Sequence, residues 1–540
     1  MTLHFSNIWE TVADTVGDRI ALIGDSGVRS WRDYEDRAAR LAAAFDAAGI
    51  GLDSKVGIYL HNSNEYLEAQ FATFKVGGCP INVNYRYKAD ELIYLLDNAD
   101  AEALVFQSSY AARIQEVRKQ LPKLKLLVQV DDHTETLLPD VLDYERIQRD
   151  HRPRPRTEPI AGGVYMLYTG GTTGMPKGVM YDLANFAQSM VGMATGGRGF
   201  VPPTTVEDLA ALLPQVTAPP VSLPASPLMH GTGMWLGAMV PHAIGGTVVT
   251  TSKLGLDPHQ LWSLVEEHGV TDMVIVGDAF ANPLLTALRE ASAQGRPYRL
   301  ESLAQIISSG VMWSAEVKQA LLEHLDTSLI DIIGSSEGGM GMSVTTREAA
   351  APTAKFELSE GVRVFTDDDE EVEPGSGVMG KVGTSGSVPL GYYKDPQKSA
   401  ATFREINGVR YSFPGDYATV AADGSITLLG RGSACINTAG EKVFPEEVEE
   451  ALKRHDAVRD ALVVGLKDPR FGERVVGVVA NTGPLTDAAL IDFAREQLAG
   501  YKVPKQILFV AEVRRAPNGK ADYKWARAEA ERELSAASQS

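Results

Sequence analysis

The chain has 540 residues, more than one hydrophobic core usually holds, so we expect at least two domains. Its formal net charge of -19 argues against a nucleic-acid partner, because binding a phosphate backbone needs clustered Lys and Arg. Two cysteines, Cys79 and Cys435, are too few for a disulfide framework and are expected to be reduced thiols. The first residues, MTLHFSNIWE, do not have the pattern of a signal peptide, and we expect a cytoplasmic protein.

Short apolar runs alternate with amphipathic patterns in the first part of the chain. Ser30 suits a helix N-cap, and Tyr34, Ala38, Leu41 and Phe45 then share one helix face. Strands separated by helices predict parallel sheets with helices on their faces. The predicted strands are Ile20–Ile23, Lys55–Leu60, Ala103–Phe106 and Leu126–Val130, and a second helix is predicted at Glu65–Val76.

The stretch from Leu209 to Ser252 contains no Asp, Glu, Lys or Arg. Its prolines and glycines exclude a single membrane-spanning helix, so we expect no transmembrane segment. We predict a loop, then a helix near Gly233–Val240 and a strand near Thr247–Thr251. A long uncharged stretch in a charged protein indicates core or the wall of an apolar pocket.

The pattern changes after Gly430 to a compact α+β arrangement. Pro445 suits the first turn of a helix over Glu446–Arg454. Strands are predicted at Ala461–Val464 and Arg474–Val479, and a helix at Leu485–Leu498. We therefore expect an α/β protein. A large N-terminal domain, 1–430, has parallel-rich sheets flanked by helices, and a small mobile α+β domain follows at 431–540.

The strongest motif is YTGGTTGMPKGVM at Tyr168–Met180. Glycines let a backbone approach a ligand closely, threonines add hydroxyl donors, and Lys177 adds a charge suited to phosphate. The motif is not a Walker A loop, because Pro176 precedes the lysine and no Ser or Thr follows it. A flexible surface hairpin is the alternative, but this density of Gly, Thr and Lys favours a polyphosphate cradle.

The motif resembles the signature loop of the adenylate-forming superfamily, which includes acyl-CoA synthetases, peptide-synthetase adenylation domains and firefly luciferase. Ile333 and Ser336 replace an aromatic residue and a threonine that are usual in the next block. The resemblance covers nearly the whole chain, and five ordered blocks are far more specific than any one. The other blocks are IGSSE at Ile333–Glu337, YSFPGD at Tyr411–Asp416, GRGSACINTAGEKVFPEEVE at Gly430–Glu449 and PNGK at Pro517–Lys520.

The resemblance implies ATP, Mg²⁺ and coenzyme A as cofactor and co-substrates. It implies Lys520 as the catalytic lysine, Glu337 with Thr169 as magnesium ligands, and Asp416 with Arg431 at the ribose. Without the resemblance, a solvated lysine, a surface carboxylate and a turn aspartate explain these residues equally well. Gly440 and Lys442 are implied on the face that later admits the coenzyme A thiol. The remaining implied nucleotide contacts are Gly170, Gly171, Thr172, Thr173, Gly174, Lys177, Ser309, Gly310, Val311, Ser335 and Ser336.

His230 lies where the superfamily often has an aromatic residue or a histidine beside the acyl site. A satisfied structural histidine is an equal alternative. Met234, Trp235 and Met239 either line the acyl pocket or belong to the core. The resemblance also implies that the small domain rotates between two half-reactions. Ser433 stands at the hinge position, where Asp or Lys is usual.

A closer resemblance, from IGSSE, GYYKD (Gly391–Asp395) and NGVRY (Asn407–Tyr411), is to bacterial CoA ligases for steroid side-chain and fatty acids. It implies an ATP-dependent acyl-CoA ligase acting on such a carboxylic acid. One alternative is an aryl- or amino-acid-adenylating enzyme, although the amino-acid type usually has an Asp where Gly231 stands. A non-catalytic nucleotide-binding homologue is the second alternative and a luciferase-like oxygenase a remote third. A homodimer is left open.

Overall fold

The computed structural model describes residues 2–158, 162–169, 175–438, 441–468, 472–516 and 519–537. Helices and strands alternate over the first half, and strands dominate between 328 and 443. The strands are β1 (Ile20–Gly24), β2 (Gly27–Ser30), β3 (Lys55–Tyr59), β4 (Cys79–Asn82), β5 (Ala101–Gln107), β6 (Leu126–Val130), β7 (Leu142–Asp143), β8 (Val164–Thr169), β9 (Lys177–Asp182), β10 (Val221–Pro224), β11 (Thr247–Val249), β12 (Asp272–Ile275), β13 (Gln305–Ser309), β14 (Ser328–Ser335), β15 (Gly338–Thr345), β16 (Lys355–Leu358), β17 (Val362–Phe365), β18 (Met379–Thr384), β19 (Gly391–Tyr392), β20 (Phe403–Ile406), β21 (Val409–Ser412), β22 (Asp416–Val420), β23 (Ile426–Arg431), β24 (Ile436–Thr438), β25 (Glu441–Val443), β26 (Val458–Asp468), β27 (Gly472–Asn481) and β28 (Gln506–Val510).

The α-helices are α1 (Phe5–Val16), α2 (Trp31–Ala47), α3 (Asn64–Lys75), α4 (Ala89–Asn98), α5 (Ala111–Val117), α6 (Tyr144–Asp150), α7 (Leu183–Gly196), α8 (Val206–Leu212), α9 (Val240–His242), α10 (Pro258–His268), α11 (Gly277–Ala293), α12 (Ala315–Leu322), α13 (Pro396–Thr402), α14 (Pro445–Lys453), α15 (Asp487–Gln497) and α16 (Tyr523–Ala537). Short 3₁₀ helices lie at Ser108–Tyr110, Arg118–Gln120, Leu213–Gln215 and Gly432–Ala434, and a π-helix at Thr232–Met239.

The parallel sheets predicted from the alternating pattern are present. Strands β4-β3-β5-β6-β7 form a 5-stranded parallel sheet. Helix α2 begins as expected, because the Ser30 hydroxyl accepts from the Asp33 N–H at 3.1 Å. Tyr34, Ala38, Leu41 and Phe45 are all buried on one face of α2. The pattern and the cap therefore fix this helix together.

A 15-stranded sheet makes up most of the rest of the large domain. Its first half is mainly parallel and runs β1-β11-β10-β12-β13-β14. From β14 onward the pairs are antiparallel, β14-β15-β16-β23-β22-β18. The expectation of parallel-rich sheets thus holds for the first half and not for this second part, where short strands joined by tight turns replace the helical crossovers.

The uncharged stretch differs from its predicted structure in two ways. The expected loop contains the strand β10, whose four residues pair between β11 and β12. The expected helix near Gly233–Val240 is a π-helix over Thr232–Met239, a rare form that occurs mostly at functional sites. Met234 and Met239 are core residues, whereas Trp235 is half-buried. The predicted strand is present at Thr247–Val249.

The small α+β domain forms a 5-stranded sheet, β25-β24-β27-β26 with β28 beside β27. Helices α14 and α16 pack against its longest strand, β26. Its core is separate from those of the large domain. The fold class is confirmed: a large α/β domain is followed by a smaller α+β domain.

Candidate active site

A cavity of about 700 Å³ lies between the large domain and the last segment of the small domain. Residues at the ends of three strands reach it: Thr169 of β8, Ser309 of β13 and Ser335 of β14. Seven of the predicted site residues line this one cavity, namely Thr169, His230, Ser309, Gly310, Ser335, Ser336 and Lys520. The cavity therefore joins residues that the sequence separates by about 350 positions.

Backbone geometry shapes the wall around Gly310. Strands β13 and β14 are parallel neighbours, so their carboxyl ends reach the same edge of the sheet. Gly310 follows β13 with φ +96°, a left-handed conformation that favours glycine. A Cβ here would meet no atom nearer than the Thr232 Oγ1 at 3.6 Å, so space is open above the backbone. A flat group can approach this segment closely.

A cluster of four charged residues lies beside the cavity: Glu337, Asp416, Arg431 and Lys520. Asp416 and Arg431 are paired at the ends of β22 and β23, with Nε and Oδ1 3.5 Å apart. The other carboxylate oxygen of Asp416 is buried and has no hydrogen-bond partner among the described residues. Glu337 is buried, and one of its oxygens accepts from the Tyr392 hydroxyl at 2.7 Å.

Burial and neighbouring charges shift the pKa values of Asp416 and Lys520. Burial raises the pKa of Asp416, and the Arg431 charge opposes that rise. Burial and Arg431 lower the pKa of Lys520, whereas Glu337 and Asp416 raise it. The Lys520 residue nevertheless keeps an exposed surface in the cleft. The cluster thus places two cations beside two carboxylates, one of which has an unused oxygen.

His230 is half-buried and lines the same cavity. Burial and the positive charges of Lys520 and Arg86 lower its pKa to about 3. Its imidazole is therefore neutral near pH 7, and within the part of the chain that the structure describes its Nε2 has no hydrogen-bond partner. The side chain is available for a hydrogen bond to a ligand, but it does not carry a charge to one.

The structure brings the other predicted residues elsewhere. The Lys177 ammonium lies 2.7 Å from a carboxylate oxygen of Asp395. Val311 lines a neighbouring, larger cavity between the domains and not this one. Lys442 lies 3.8 Å from Asp367 on another side of the domain interface. Gly170, Gly171, Thr172, Thr173, Gly174 and Gly440 lie outside the described residues, as do Pro517, Asn518 and the Ser433 side chain.

Sequence reasoning missed the part of the cavity's apolar end that α7 forms, whereas Trp235, also in its lining, belongs to the uncharged stretch expected to be core or pocket wall. Phe186, Ser189, Met190 and Met193 of α7 line it, opposite Trp235 of the π-helix. The spacing i, i+3, i+4, i+7 marks one helix face, and this was the available signal. Any core-facing helix shows the same spacing, so the pattern alone does not indicate a pocket.

Asn82 is a second residue that the sequence did not reveal. Its amide donates to the carbonyls of Tyr168 and Met229 at 2.8 and 2.7 Å, and its oxygen accepts from the Tyr168 N–H at 2.7 Å. It thereby joins the strand before the glycine-rich loop to the loop before His230. A single asparagine fixes two walls of the cavity relative to each other.

Ion pairs connect the small domain to the large one. Lys453 of α14 lies 3.8 Å from Asp278 of α11, and Arg454 lies 3.9 Å from Glu316 of α12. Gly519 approaches α11 so closely that a Cβ would lie 3.0 Å from the Ala279 Cβ. These contacts hold the segment of Lys520 over the cavity.

A large mixed-sheet domain and a small domain that meet over one cavity define a two-domain α/β enzyme. The chain belongs to the AMP-binding enzyme family: the family matches residues 9–393, and the AMP-binding enzyme C-terminal domain matches residues 447–520. Among the described residues, no helix is long and apolar enough to cross a membrane.

Two relatives show the family at full length. The 3-oxocholest-4-en-26-oate--CoA ligase of Rhodococcus rhodochrous is 41% identical over 98% of this chain and 96% of its own. The medium/long-chain-fatty-acid--CoA/3-oxocholest-4-en-26-oate--CoA ligase of Mycolicibacterium smegmatis is 40% identical, with the same coverage. The anthranilate CoA ligase AuaEII in complex with anthranoyl-AMP shares the fold, with a TM-score of 0.83 at 22% identity over 99% of this chain and 98% of that one.

Proposed function

We propose that the protein is an ATP-dependent acyl-CoA ligase that forms an acyl adenylate and then transfers the acyl group to coenzyme A. The family and the CoA ligases among the relatives imply ATP and coenzyme A as substrates. One observation carries the proposal: a single cavity runs from Lys520, which lies beside Glu337, Asp416 and Arg431, to the apolar wall of α7. The free thiols Cys79 and Cys435 fit a cytoplasmic enzyme.

The described residues fit a nucleotide. A buried carboxylate oxygen without a partner costs free energy unless a ligand donates to it, and a ribose hydroxyl does so. Asp416 would accept from the ribose, with Arg431 beside it. Gly310 and Ser309 offer the open backbone edge on which an adenine ring lies flat. The glycine-rich loop after Thr169 would hold the phosphates.

Glu337 and Thr169 would hold Mg²⁺. Hard cations prefer oxygen ligands, and a carboxylate with a hydroxyl supplies them. Among the described residues no cluster of three His, Cys, Asp or Glu could hold a metal, so phosphate oxygens and water would complete the shell. When bound, the ion neutralises phosphate charge. The Tyr392 hydroxyl keeps one Glu337 oxygen occupied and orients the other.

Lys520 and His230 would take different parts in the two steps of the reaction. A carboxylate oxygen of the acid attacks the α-phosphorus of ATP, the bond to the bridging oxygen breaks, and pyrophosphate leaves. Negative charge builds on the phosphoryl oxygens, and Lys520 supplies the facing positive charge. In the second step the coenzyme A sulfur attacks the acyl carbon, the bond to AMP breaks, and the thiol proton passes to water. Neutral His230 would donate a hydrogen bond to the acid or its acyl oxygen.

The second step needs a path for the thiol that Lys520 and its segment obstruct. We infer that the small domain, 431–540, rotates and brings the face of Gly440 and Lys442 to the cavity. In the present arrangement Lys442 lies 3.8 Å from Asp367 and does not line the cavity. The Arg454–Glu316 pair across the domain interface is exposed and 3.9 Å long, so its loss costs little.

The lining of the cavity favours a hydrophobic acid over an amino acid. Among the described lining residues, Asp522 is the only carboxylate, and it caps α16 through the Trp525 N–H at 2.9 Å. None of the described residues that line the cavity beside Trp235 and α7 is therefore a carboxylate that could bind an ammonium group. Medium- and long-chain fatty acids or steroid side-chain acids, which the relatives' names give, fit the apolar wall.

The test is a panel of acids with ATP, Mg²⁺ and coenzyme A. Hexanoate, hexadecanoate, a steroid side-chain carboxylate, benzoate and phenylalanine would each be assayed for AMP and thioester by chromatography. We expect equal amounts of AMP and acyl-CoA with the fatty or steroid acids and none with phenylalanine. AMP release with phenylalanine alone, or no acid-dependent AMP at all, would refute the proposal.

A further inference from the structure

Helix α7 lines the cavity along its length and becomes exposed toward its C-terminal end. Phe186 is 3% and Met190 4% exposed, whereas Met193, one turn further, is 47% exposed. Ser189 lies between them on the same face. Ser387 and Gly339, which also line the cavity, are exposed as well. The cavity therefore reaches the surface beside Met193.

The wall at the Phe186 end is closed. The Trp235 indole donates to the Tyr165 hydroxyl at 2.9 Å and packs edge-on against Phe186 with ring centres 5.3 Å apart. Tyr165 in turn stacks on Phe186 at 4.6 Å. Moving Trp235 would break a part-buried hydrogen bond and its ring contacts with Tyr165, Tyr181 and Phe186, so a ligand gains no room there. The space for an apolar group extends along α7 instead.

We propose that the acyl site is a channel open to solvent beside Met193, and that Ser189 and Met193 set how far the acyl group is buried. The inference rests on the proposed function and names its substrate class: acids whose apolar part is longer than the channel, or too rigid to fold within it. The surplus length projects past Met193 into solvent. Flexible chains and fused rings are then accepted by one site without any rearrangement.

A chain-length series on the wild-type protein distinguishes an open channel from a closed pocket. Each buried methylene improves binding by about fourfold, so kcat/KM rises from hexanoate until the chain reaches the opening. Beyond that length an open channel gives a plateau up to hexadecanoate, with every acid below its micelle concentration. A sharp fall beyond one length would show a closed pocket and overturn the inference.

Substitutions at the opening test the named residues. Met193→Trp narrows the channel and should lower the ratio of kcat/KM for hexadecanoate over hexanoate at least tenfold. Met379→Trp, at a methionine that is 42% exposed and outside the cavity, is the matched control and should keep the wild-type ratio. Ser189→Leu should shift the start of the plateau to shorter acids.

Two outcomes separate this inference from the proposed function. Wild-type protein that releases no AMP with any acid contradicts the proposed function itself. An active enzyme whose length ratio is the same in Met193→Trp and Met379→Trp contradicts the channel alone. If Met193→Trp loses its circular-dichroism melting transition, Met193→Glu replaces it in the test. A carboxylate at this exposed position also disfavours the binding of an apolar acyl chain beside it.

Discussion

The two ends of the cavity are built in different ways. The polar end collects Glu337, Asp416, Arg431 and Lys520 from strand ends and loops of both domains. The apolar end is made within the large domain by α7 and the π-helix. Lys520 is thus carried by the small domain, where the proposed rotation would remove it, whereas the residues proposed to select the acid lie on helices of the large domain. Chemistry and acid selection should therefore respond to different substitutions.

The largest effect is expected for Lys520→Ala. Removing one group that stabilises charge in a transition state typically costs about 10²- to 10³-fold in rate. We expect acid-dependent exchange of labelled pyrophosphate into ATP to fall by at least that factor. Thioester formation from supplied acyl adenylate should stay near the wild-type rate, because in the proposed rotation Lys520 leaves the cavity before that step.

Lys505→Ala, at an exposed lysine of the small domain outside this cavity, is the matched control. An equal loss in both half-reactions, or none in either, would contradict the role given to Lys520. The ratio of activity between hexadecanoate and hexanoate should be unchanged in whatever activity remains. A changed ratio would contradict the expectation that chemistry at the polar end and acid selection at the apolar end respond to different substitutions.

A smaller effect is expected for Asp416→Asn. A hydrogen bond to a charged group contributes about 1.5–3 kcal/mol, so the Kd for ATP should rise roughly tenfold to a hundredfold. Calorimetric titration of ATP measures it directly, and Asp423→Asn, at an exposed aspartate remote from the cavity, controls for the loss of a charge. An unchanged Kd would mean that the buried Asp416 oxygen does not face the ribose.

The sequence predicted the polar end far better than the apolar one. Local motifs carry Thr169, Ser336, Glu337, Asp416 and Lys520, and the structure places all of them in or beside one cavity. Their roles stay predictions until they are measured. A polar residue in a short motif can be recognised because its side-chain chemistry and the neighbouring residues of the motif indicate the same role.

The apolar end offers no such signal. Phe186 and Met190 have the spacing of ordinary core residues, and only tertiary packing decides whether such a face meets protein or an open cavity. The strand β10 was missed because Pro219, Pro220 and Pro224 surround a short run. The π-helix has the composition of an α-helix, and its wider turns follow from packing against β10 and β12.

The smallest expected effect tests the contact between the domains. Glu446 of α14 lies against Gly430, with Asp416, Arg431, Glu449 and Tyr523 as its charged or titratable neighbours. Burial, aided by the Asp416 charge, raises the pKa of Glu446 from 4.5 to about 7. A carboxyl group with a raised pKa is fully stabilising below pH 4.5, and that stability is lost as the pH rises through 7.

Glu446→Gln cannot ionise and should therefore melt at the wild-type temperature at pH 5 but about 2–4 °C higher at pH 8. Glu441→Gln, at an exposed glutamate of β25, should show no such divergence. Scanning calorimetry at both pH values measures the difference. If Glu446→Gln melted lower at pH 8, the carboxylate would be a stabilising partner of Arg431. The domain contact would then tighten, not loosen, as the pH rises.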